Sequence, residues 1–273
     1  LWIGNCHHLF QSRIFRIILT VIYTLITLTP LTGFLIRKPA FLHRILKITS
    51  NYFLGIFMYI LMVLFSIDIV RLILKYAVHA SWIQSRIVFS AVGACCICIV
   101  IIISFSGIYH AKHIKVTPYK ITVDKSAPDM DSLKIVLLAD THFGYNSGAV
   151  HAQEIVDKIN EQNPDLVCIA GDIFDNEYEG IKNPKKTAAI LRSLKSRYGV
   201  YACWGNHDLS EPILAGFTFR NAKKDYDDPR MRNFLESANI RLLDDETVLI
   251  DKRFYLTGRK DPSRCRKMSD TRK

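Results

Sequence analysis

Three short polar motifs in the second half of the chain each follow directly on an apolar run. They recur at nearly equal spacing, since Asp172 follows Asp140 by 32 residues and Asn206 follows Asp172 by 34. Their carboxylate, imidazole and amide groups form a ligand set suited to a pair of divalent metal ions, which can activate water against a phosphate ester. The motifs are Asp140-Thr141-His142, Gly171-Asp172-Ile173-Phe174-Asp175 and Gly205-Asn206-His207-Asp208.

The apolar runs predict the elements that position these motifs. Residues 133–139, 166–170 and 199–204 are predicted to be buried strands, connected by helices over 148–162 and 184–196. This βαβαβ order predicts a largely parallel sheet, in which ligands bind beyond the carboxyl ends of the strands. All three motifs fall at such ends, so we expect them to converge. A third helix over 229–238 and strands over 240–243, 247–250 and 254–257 follow.

Each ligand type predicts a role. Asp172 can bridge two metals with its two carboxylate oxygens. His207 is placed to act as a general acid, with Asp175 holding and orienting its imidazole. Asp208 is expected to fix the loop rather than to bind metal. The predicted metal ligands are Asp140, His142, Asp172 and Asn206.

The first 111 residues differ from the rest in composition. They hold nine Lys/Arg and one acidic residue, Asp68, whereas the remainder holds 27 basic and 24 acidic residues. Three apolar segments, about 14–36, 52–74 and 87–109, are each long enough to cross ~30 Å of hydrocarbon as a helix. We therefore expect a transmembrane anchor. Because no basic stripe interleaved with aromatics occurs in the second half, we expect no nucleic-acid partner.

Basic residues beside the predicted spans indicate the orientation. With three spans, the loop 37–51 and the second half of the chain share one side of the membrane. Seven Lys/Arg lie there against four on the other, or five if Arg71 near the end of the second span is counted. This bias predicts that the second half faces the cytoplasm. The first group is Arg37, Lys38, Arg44, Lys47, Lys112, Lys115 and Lys120; the second is Arg13, Arg16, Lys75 and Arg86.

The three motifs together resemble the calcineurin-like metallophosphoesterase superfamily, whose signature is D-x-H, then G-D-x-x-D, then G-N-H-[DE]. The resemblance covers about residues 133–261, and membrane-anchored bacterial members also carry apolar helices ahead of the domain. It implies an α/β sandwich of two sheets and metal-dependent hydrolysis of phosphomono- or diesters. It also implies two bound divalent metals (Mn, Fe or Zn) and His207 as the acid. The metal ligands that it implies are Asp140, His142, Asp172 and Asn206.

Part of the family pattern is missing. The family completes its site with a later histidine and a G-H-x-H motif, whereas no histidine follows His207 here. We therefore expect a C-terminally truncated and inactive chain, with a partial sandwich over 133–261 and a disordered tail over 262–273. The anchor is predicted over 1–111, and a linker containing a short strand, 119–123, over 112–132.

The sequence leaves two alternative functions open, one catalytic and one limited to binding. The first is a metal-dependent phosphoesterase anchored in a bacterial cytoplasmic membrane, acting on phosphoesters that include lipid-linked ones. The alternative, motivated by the missing histidines, is a non-catalytic membrane protein that uses a degenerate phosphoesterase domain for binding. A channel or transporter is disfavoured, because the spans show no repeats and no paired polar sites. The seven cysteines are expected to be unpaired small hydrophobic residues.

Overall fold

The computed structural model describes residues 13–125, 130–211, 213–214, 217–218, 227–259 and 261. They divide into two units, one ending at His113 and the other beginning at Ile114. The predicted disordered tail, 262–273, lies outside the described residues.

The described part of the first unit is helical. Its elements are α1 (Arg13–Thr27), α2 (Thr29–Leu35), α3 (Ala40–Tyr76), a 3₁₀ turn (Ser81–Gln84) and α4 (Arg86–Lys112). Helices α3 and α4 are long and apolar enough to cross a membrane, and α1 and α2, which meet at a 47° bend, would form a third span if taken together. Pro30 lies in the first turn of α2, where its missing N–H removes no helical hydrogen bond.

Helix α3 begins earlier than the sequence predicts. Residues 37–51 were expected to form a loop, but residues 40–51 are the first turns of α3. Basic Arg44 and Lys47 alternate there with apolar Phe41 and Ile45, a mixed pattern that a search for continuous apolar spans does not detect. At 1.5 Å per residue this 37-residue helix is about 56 Å long, which exceeds the ~30 Å hydrocarbon thickness of a bilayer.

A parallel four-stranded sheet is the centre of the second unit, in the order β1-β2-β3-β6. Residue pairs such as Val136–Val167 and Val167–Val200 set its register, and the α/β prediction is confirmed. Two antiparallel hairpins, β4–β5 and β7–β8, complete the described strands. The strands are β1 (Ile135–Leu138), β2 (Leu166–Ala170), β3 (Val200–Cys203), β4 (Ile213–Leu214), β5 (Phe217–Thr218), β6 (Arg241–Leu242), β7 (Glu246–Ile250) and β8 (Phe254–Gly258).

Three helices contribute to the core that covers one face of this sheet. They are α5 (Ala149–Glu161), α6 (Pro184–Leu191) and α7 (Pro229–Ser237), and a 3₁₀ turn, Tyr178–Gly180, precedes α6. Helix α5 buries Ile155, Val156 and Ile159, which are spaced so that they share one helix face. The core also contains Val167, Ile169, Val200, Ala202, Ala188, Leu191, Met231, Phe234 and Leu235.

The opposite face is partly open. Strand β1 was expected to be buried on both faces, but it lies at the sheet edge, with Ile135 50% and Leu137 69% exposed. An apolar run shows which residues could be buried on either side, but not whether a neighbour covers them, so this expectation was wrong. The β7–β8 hairpin packs near Tyr198 and Tyr201 and covers another part of the unit.

The predicted linker contains no strand over 119–123 among the described residues. At its start, Ile114 packs against the core of the second unit. The Ile114 backbone N–H donates to Glu154 Oε1 at 3.0 Å, which ties this segment to α5.

Candidate metal centre

The loops after β1 and β2 run side by side beyond the sheet. The backbone N–H groups of Asp140, His142 and Phe143 donate to the carbonyl oxygens of Gly171, Asp172 and Ile173, at 3.2, 3.0 and 2.8 Å. The first two predicted motifs are therefore held in register as if the strands continued. The loop after β3 joins them, because the His207 N–H donates to Asp172 Oδ1 at 2.9 Å.

This arrangement brings three predicted ligands together. Asp140, His142 and Asp172 each offer one ligand atom, and these atoms lie within 4.8 Å of one another. His142 Nε2 lies 3.8 Å from Asp140 Oδ1. Asn206 lies between Gly205 and His207, and its side chain is exposed. Carboxylate oxygens and an imidazole nitrogen suit a divalent cation, so the residues present fit the metals that the sequence implied.

Two glycines allow the loops to approach this closely. Gly171 has φ +80°, and a Cβ there would lie 2.7 Å from Gly205 Cα. A Cβ on Gly205 would overlap with Oδ1 and the backbone nitrogen of Asp172. No larger residue fits at Gly205 without displacing Asp172, so the Gly-Asn pair is a packing requirement as well as a turn.

All three clustered ligands have left-handed backbone conformations. Their φ angles are +55° for Asp140, +41° for His142 and +52° for Asp172. Side chains other than glycine seldom adopt this region, although Asp and His do so more often than most. Such conformations cost free energy and are concentrated at functional sites.

Asp208 joins two of the loops. It is 1% exposed, its Oδ1 accepts from the Phe174 N–H and its Oδ2 accepts from the Gly205 N–H, both at 2.8 Å. Both oxygens thus accept backbone donors, in agreement with the loop-fixing role predicted for this residue.

His207 lies beside the clustered ligands, with its ring centroid 5.1 Å from that of His142. Its Nδ1 is hydrogen-bonded to Oδ1 of Asn176, a residue that no motif singled out. Asp175, predicted to orient His207, has its side chain against the backbone of Gly144, where an added Cβ would lie 2.7 Å from Asp175 Cβ. The roles predicted for His207 and Asp175 remain predictions.

Three further side-chain contacts lie around the loops, and sequence patterns did not reveal them. The Tyr145 hydroxyl donates to Glu177 Oε2 at 2.9 Å, which links the loops after β1 and β2. Beyond Glu177, Arg230 Nη2 lies 2.7 Å from Glu179 Oε1 and 2.6 Å from Asp228 Oδ2. The hydrogen bond from the Arg230 side chain lowers the pKa of Asp228, which caps the start of α7.

Cys203 ends β3, close to the third motif. Burial, with a smaller contribution from the charge of Asp208, raises the pKa of its thiol. Burial, and then the neighbouring Cys203, raises the pKa of Cys168 to about 11. A metal ligand or nucleophile must be a thiolate, so these raised pKa values agree with both cysteines being small, inert packing residues.

Comparisons with known proteins support the family that the three motifs resemble. The family model for calcineurin-like phosphoesterases matches residues 133–267. The transmembrane protein with metallophosphoesterase domain of Danio rerio is 36% identical over 103 residues, which are 38% of this chain and 23% of the relative. Its namesake in Bos taurus is 38% identical over 93 residues, or 34% of this chain and 20% of the relative.

A bacterial relative, a metallophosphoesterase of Helicobacter pylori, is 32% identical over 147 residues, which are 53% of this chain and 32% of the relative. The matched segments thus span between a fifth and a third of the length of these relatives. No solved structure matches the chain. Residues 133–267 belong to the calcineurin-like phosphoesterase family, and the chain is a membrane protein that carries this metallophosphoesterase domain.

Proposed function

We propose that this protein is a membrane-anchored phosphoesterase that hydrolyses phosphomono- or phosphodiesters with the help of two divalent metal ions. The observation that carries the proposal is the cluster of Asp140, His142 and Asp172, whose ligand atoms lie within 4.8 Å of one another. Asp140 and His142 would hold one metal and Asn206 the other, with Asp172 shared between them. Bound metals of this kind lower the pKa of water and neutralise charge on phosphoryl oxygens.

The chain's own residues supply the remaining chemistry. Asp172 holds the backbone of His207, because its Oδ1 accepts from the His207 backbone N–H at 2.9 Å. We propose that His207 gives a proton to the leaving oxygen of the ester, which makes the departing alcohol neutral. Asp175 is proposed to support this acid indirectly, by bracing the loop after β2 against Gly144 in the loop after β1.

The test is metal-dependent hydrolysis of bis-p-nitrophenyl phosphate by the complete gene product, with the 273-residue chain measured in parallel. We expect hydrolysis with Mn²⁺ that disappears on chelation and returns when metal is added back. Zn²⁺ and Fe²⁺ are compared in the same assay, because this ligand set accepts all three. A complete gene product that stays inert with each metal would overturn the proposal.

For the 273-residue chain itself we propose weak metal binding and no turnover. The motivation is that no histidine follows His207, so the described side chains offer the first metal three ligands and the second fewer. Calorimetric titration of the chain with Mn²⁺ tests this. Tight binding of two ions would contradict it.

A second candidate function is binding without catalysis, which the same missing histidines favour. In that case the complete gene product would bind metal or phosphate but show no hydrolysis. The two candidates are separated by the hydrolysis assay above.

The anchor bears on where the substrate lies. We propose a cytoplasmic membrane location with the second unit facing the cytoplasm, on the basis of the excess of Lys/Arg on that side. Because the chain passes directly from α4 into the second unit, lipid-linked phosphoesters are proposed as substrates alongside soluble ones. A vesicle-embedded phosphoester that is hydrolysed no faster than its soluble analogue would remove the lipid-linked part of the proposal.

A further inference from the structure

Asn176 contacts His207 at two points. It is fully buried, at 0% exposure, and has a left-handed backbone with φ +53°. Its backbone N–H donates to the His207 carbonyl oxygen at 3.1 Å, and its side-chain Oδ1 is paired with His207 Nδ1. We propose that Asn176 is the positioning residue for His207, an inference that rests on the proposed role of His207 as the acid.

The pairing decides which ring nitrogen is left for the substrate. An amide oxygen only accepts hydrogen bonds, so His207 Nδ1 must carry a proton and donate it to Asn176 Oδ1. Nε2 is then the nitrogen that remains for an ester oxygen. The backbone of His207 is held at the same time, because its N–H donates to Asp172 Oδ1. Rotation of the ring and choice of tautomer are thus both fixed.

The backbone N–H groups of Asp175 and Asn176 donate hydrogen bonds to two different loops. The Asp175 N–H donates to the Phe143 carbonyl in the loop after β1, whereas the Asn176 N–H donates to His207 in the loop after β3. The Asp175 side chain lies against Gly144, on the same side as its backbone bond. The loop after β2 therefore lies between the other two, with Asp175 facing one and Asn176 facing the other.

Stability alone does not account for an asparagine at this position. The Nδ2 group of Asn176 is buried and makes no hydrogen bond within the described residues. A buried donor without a partner destabilises the folded state, and glycine would meet the left-handed backbone without that cost, so the backbone conformation alone does not require the amide. The one hydrogen bond recorded for the side chain is the one that orients His207.

The decisive variant is Asn176→Gly. Glycine tolerates the left-handed backbone and keeps the N–H that bonds to His207, so only the side chain is lost. The matched control is Asn239→Gly, at an exposed left-handed asparagine with φ +57° that follows α7. Asn176→Asp keeps an oxygen acceptor for Nδ1–H and serves as the rescue variant.

The first readout needs neither metal nor activity. In the ¹⁵N-histidine-labelled 273-residue chain, the signals of His207 are identified by their loss in His207→Gln. We expect a single Nδ1–H tautomer in the unaltered chain and in Asn239→Gly, and a mixture of tautomers in Asn176→Gly. Unchanged His207 nitrogen signals in Asn176→Gly would overturn the inference.

The second readout uses leaving groups in the complete gene product. A misplaced acid matters more when the departing oxyanion is strongly basic, as phenoxide is relative to p-nitrophenoxide, and acid catalysis contributes about 100-fold or more to such steps. We expect Asn176→Gly to lower kcat at least about 10-fold more for diphenyl phosphate than for bis-p-nitrophenyl phosphate. KM should stay near the wild-type value, and Asn176→Asp should restore most of the loss.

A purely structural role for Asn176 would lower both rates equally and would leave Asn176→Asp no better than Asn176→Gly, and either result overturns the inference. An unaltered enzyme that hydrolyses neither ester with metal present would overturn the proposed function instead. In that event the tautomer measurement alone decides the role of Asn176.

Discussion

Asp172 does three things in the structure. Its side chain contributes to the ligand cluster, its Oδ1 accepts the His207 N–H, and its carbonyl oxygen accepts the His142 N–H at 3.0 Å. Asp140, by contrast, is exposed and contributes its carboxylate at the rim. Asp172 is therefore the residue at which metal binding and loop geometry can be separated by a single atom change.

The variant Asp172→Asn tests that separation. Asparagine keeps the oxygen that accepts from His207 and tolerates a left-handed backbone, but it removes the negative charge. In the complete gene product, we expect the protein to stay folded and its metal affinity to fall by about 100-fold or more. Calorimetric titration with Mn²⁺ measures this, with the exposed Asp157→Asn on α5 as control. Equal affinities in the two variants would exclude Asp172 as a ligand.

Asp228 gives a prediction about pH. Its pKa is lowered, first by the hydrogen bond from Arg230, so it stabilises the fold above its ordinary pKa and loses this effect as the pH falls through the lowered value. Asp228→Asn keeps an N-cap residue but loses the charge. We expect it to cost about 1 kcal/mol of unfolding free energy at pH 7, and the difference to shrink between about pH 5 and pH 3.

Denaturant unfolding at a series of pH values measures this difference. Arg230→Gln is the companion variant, because it removes the donor that lowers the pKa of Asp228 and should show the same convergence at low pH. The difference in unfolding free energy between wild type and Asp228→Asn could also stay constant down to pH 3. That result would contradict the hydrogen bond from Arg230 as the cause of the lowered pKa of Asp228.

At the scale of elements, the site depends on three loops that follow neighbouring strands. These loops stay hydrogen-bonded to one another beyond the strand ends. Phe143 and Phe174 form a parallel bridge beyond the ends of β1 and β2, and Asp208 binds the loop after β3 to Phe174. The predicted ligands are thus attached to the sheet through backbone hydrogen bonds, which place them more rigidly than flexible loops would.

Gly205→Ala tests how tightly the loops are packed. The added Cβ overlaps with Asp172, so we expect a loss of about 1–3 kcal/mol in unfolding free energy together with loss of metal binding. The control is Gly148→Ala at the start of α5, where a Cβ would meet nothing within 4 Å. Metal titration and unfolding are measured on both variants. Metal affinity that survives Gly205→Ala would show that the loop can move without harm.

Sequence patterns predicted these elements well where an apolar run ends at a polar residue, as at Ala139–Asp140 and Ala170–Gly171. Hydrophobic periodicity indicates which segments form strands and helices. A parallel topology then places the carboxyl ends of the strands at one edge of the sheet. The left-handed backbone of Asp140 and the contact of Asn176 with His207 depend on which loop lies beside which, so no local pattern carries them. The exposed face of β1 was missed for the same reason.

At the scale of the whole molecule, charge is distributed unevenly. The first 111 residues carry nine basic residues against Asp68 alone, while the remainder is nearly balanced. Positive charge beside membrane spans fixes their orientation during insertion. Most of the formal net charge of +11 therefore lies in the predicted membrane anchor, and the charge gives no reason to expect binding of nucleic acid.

Orientation can be measured with reporter fusions at the C-terminus. We expect a green fluorescent protein fusion to fluoresce and an alkaline phosphatase fusion to stay inactive, because the basic side of the anchor is retained in the cytoplasm. Fusions placed after Ala77, between α3 and α4, serve as the control and should behave in the opposite way. The reverse pattern at the C-terminus would place the phosphoesterase domain outside.

The left-handed backbones of the predicted ligands Asp140, His142 and Asp172 have a consequence for the lifetime of the protein in a cell. Each residue has a backbone conformation that costs free energy, so the folded state without metal is less stable than it would otherwise be. Bound cations would offset this loss of stability. Metal scarcity would then leave molecules that open more readily to proteases. The abundance of the protein should accordingly follow the supply of its metal.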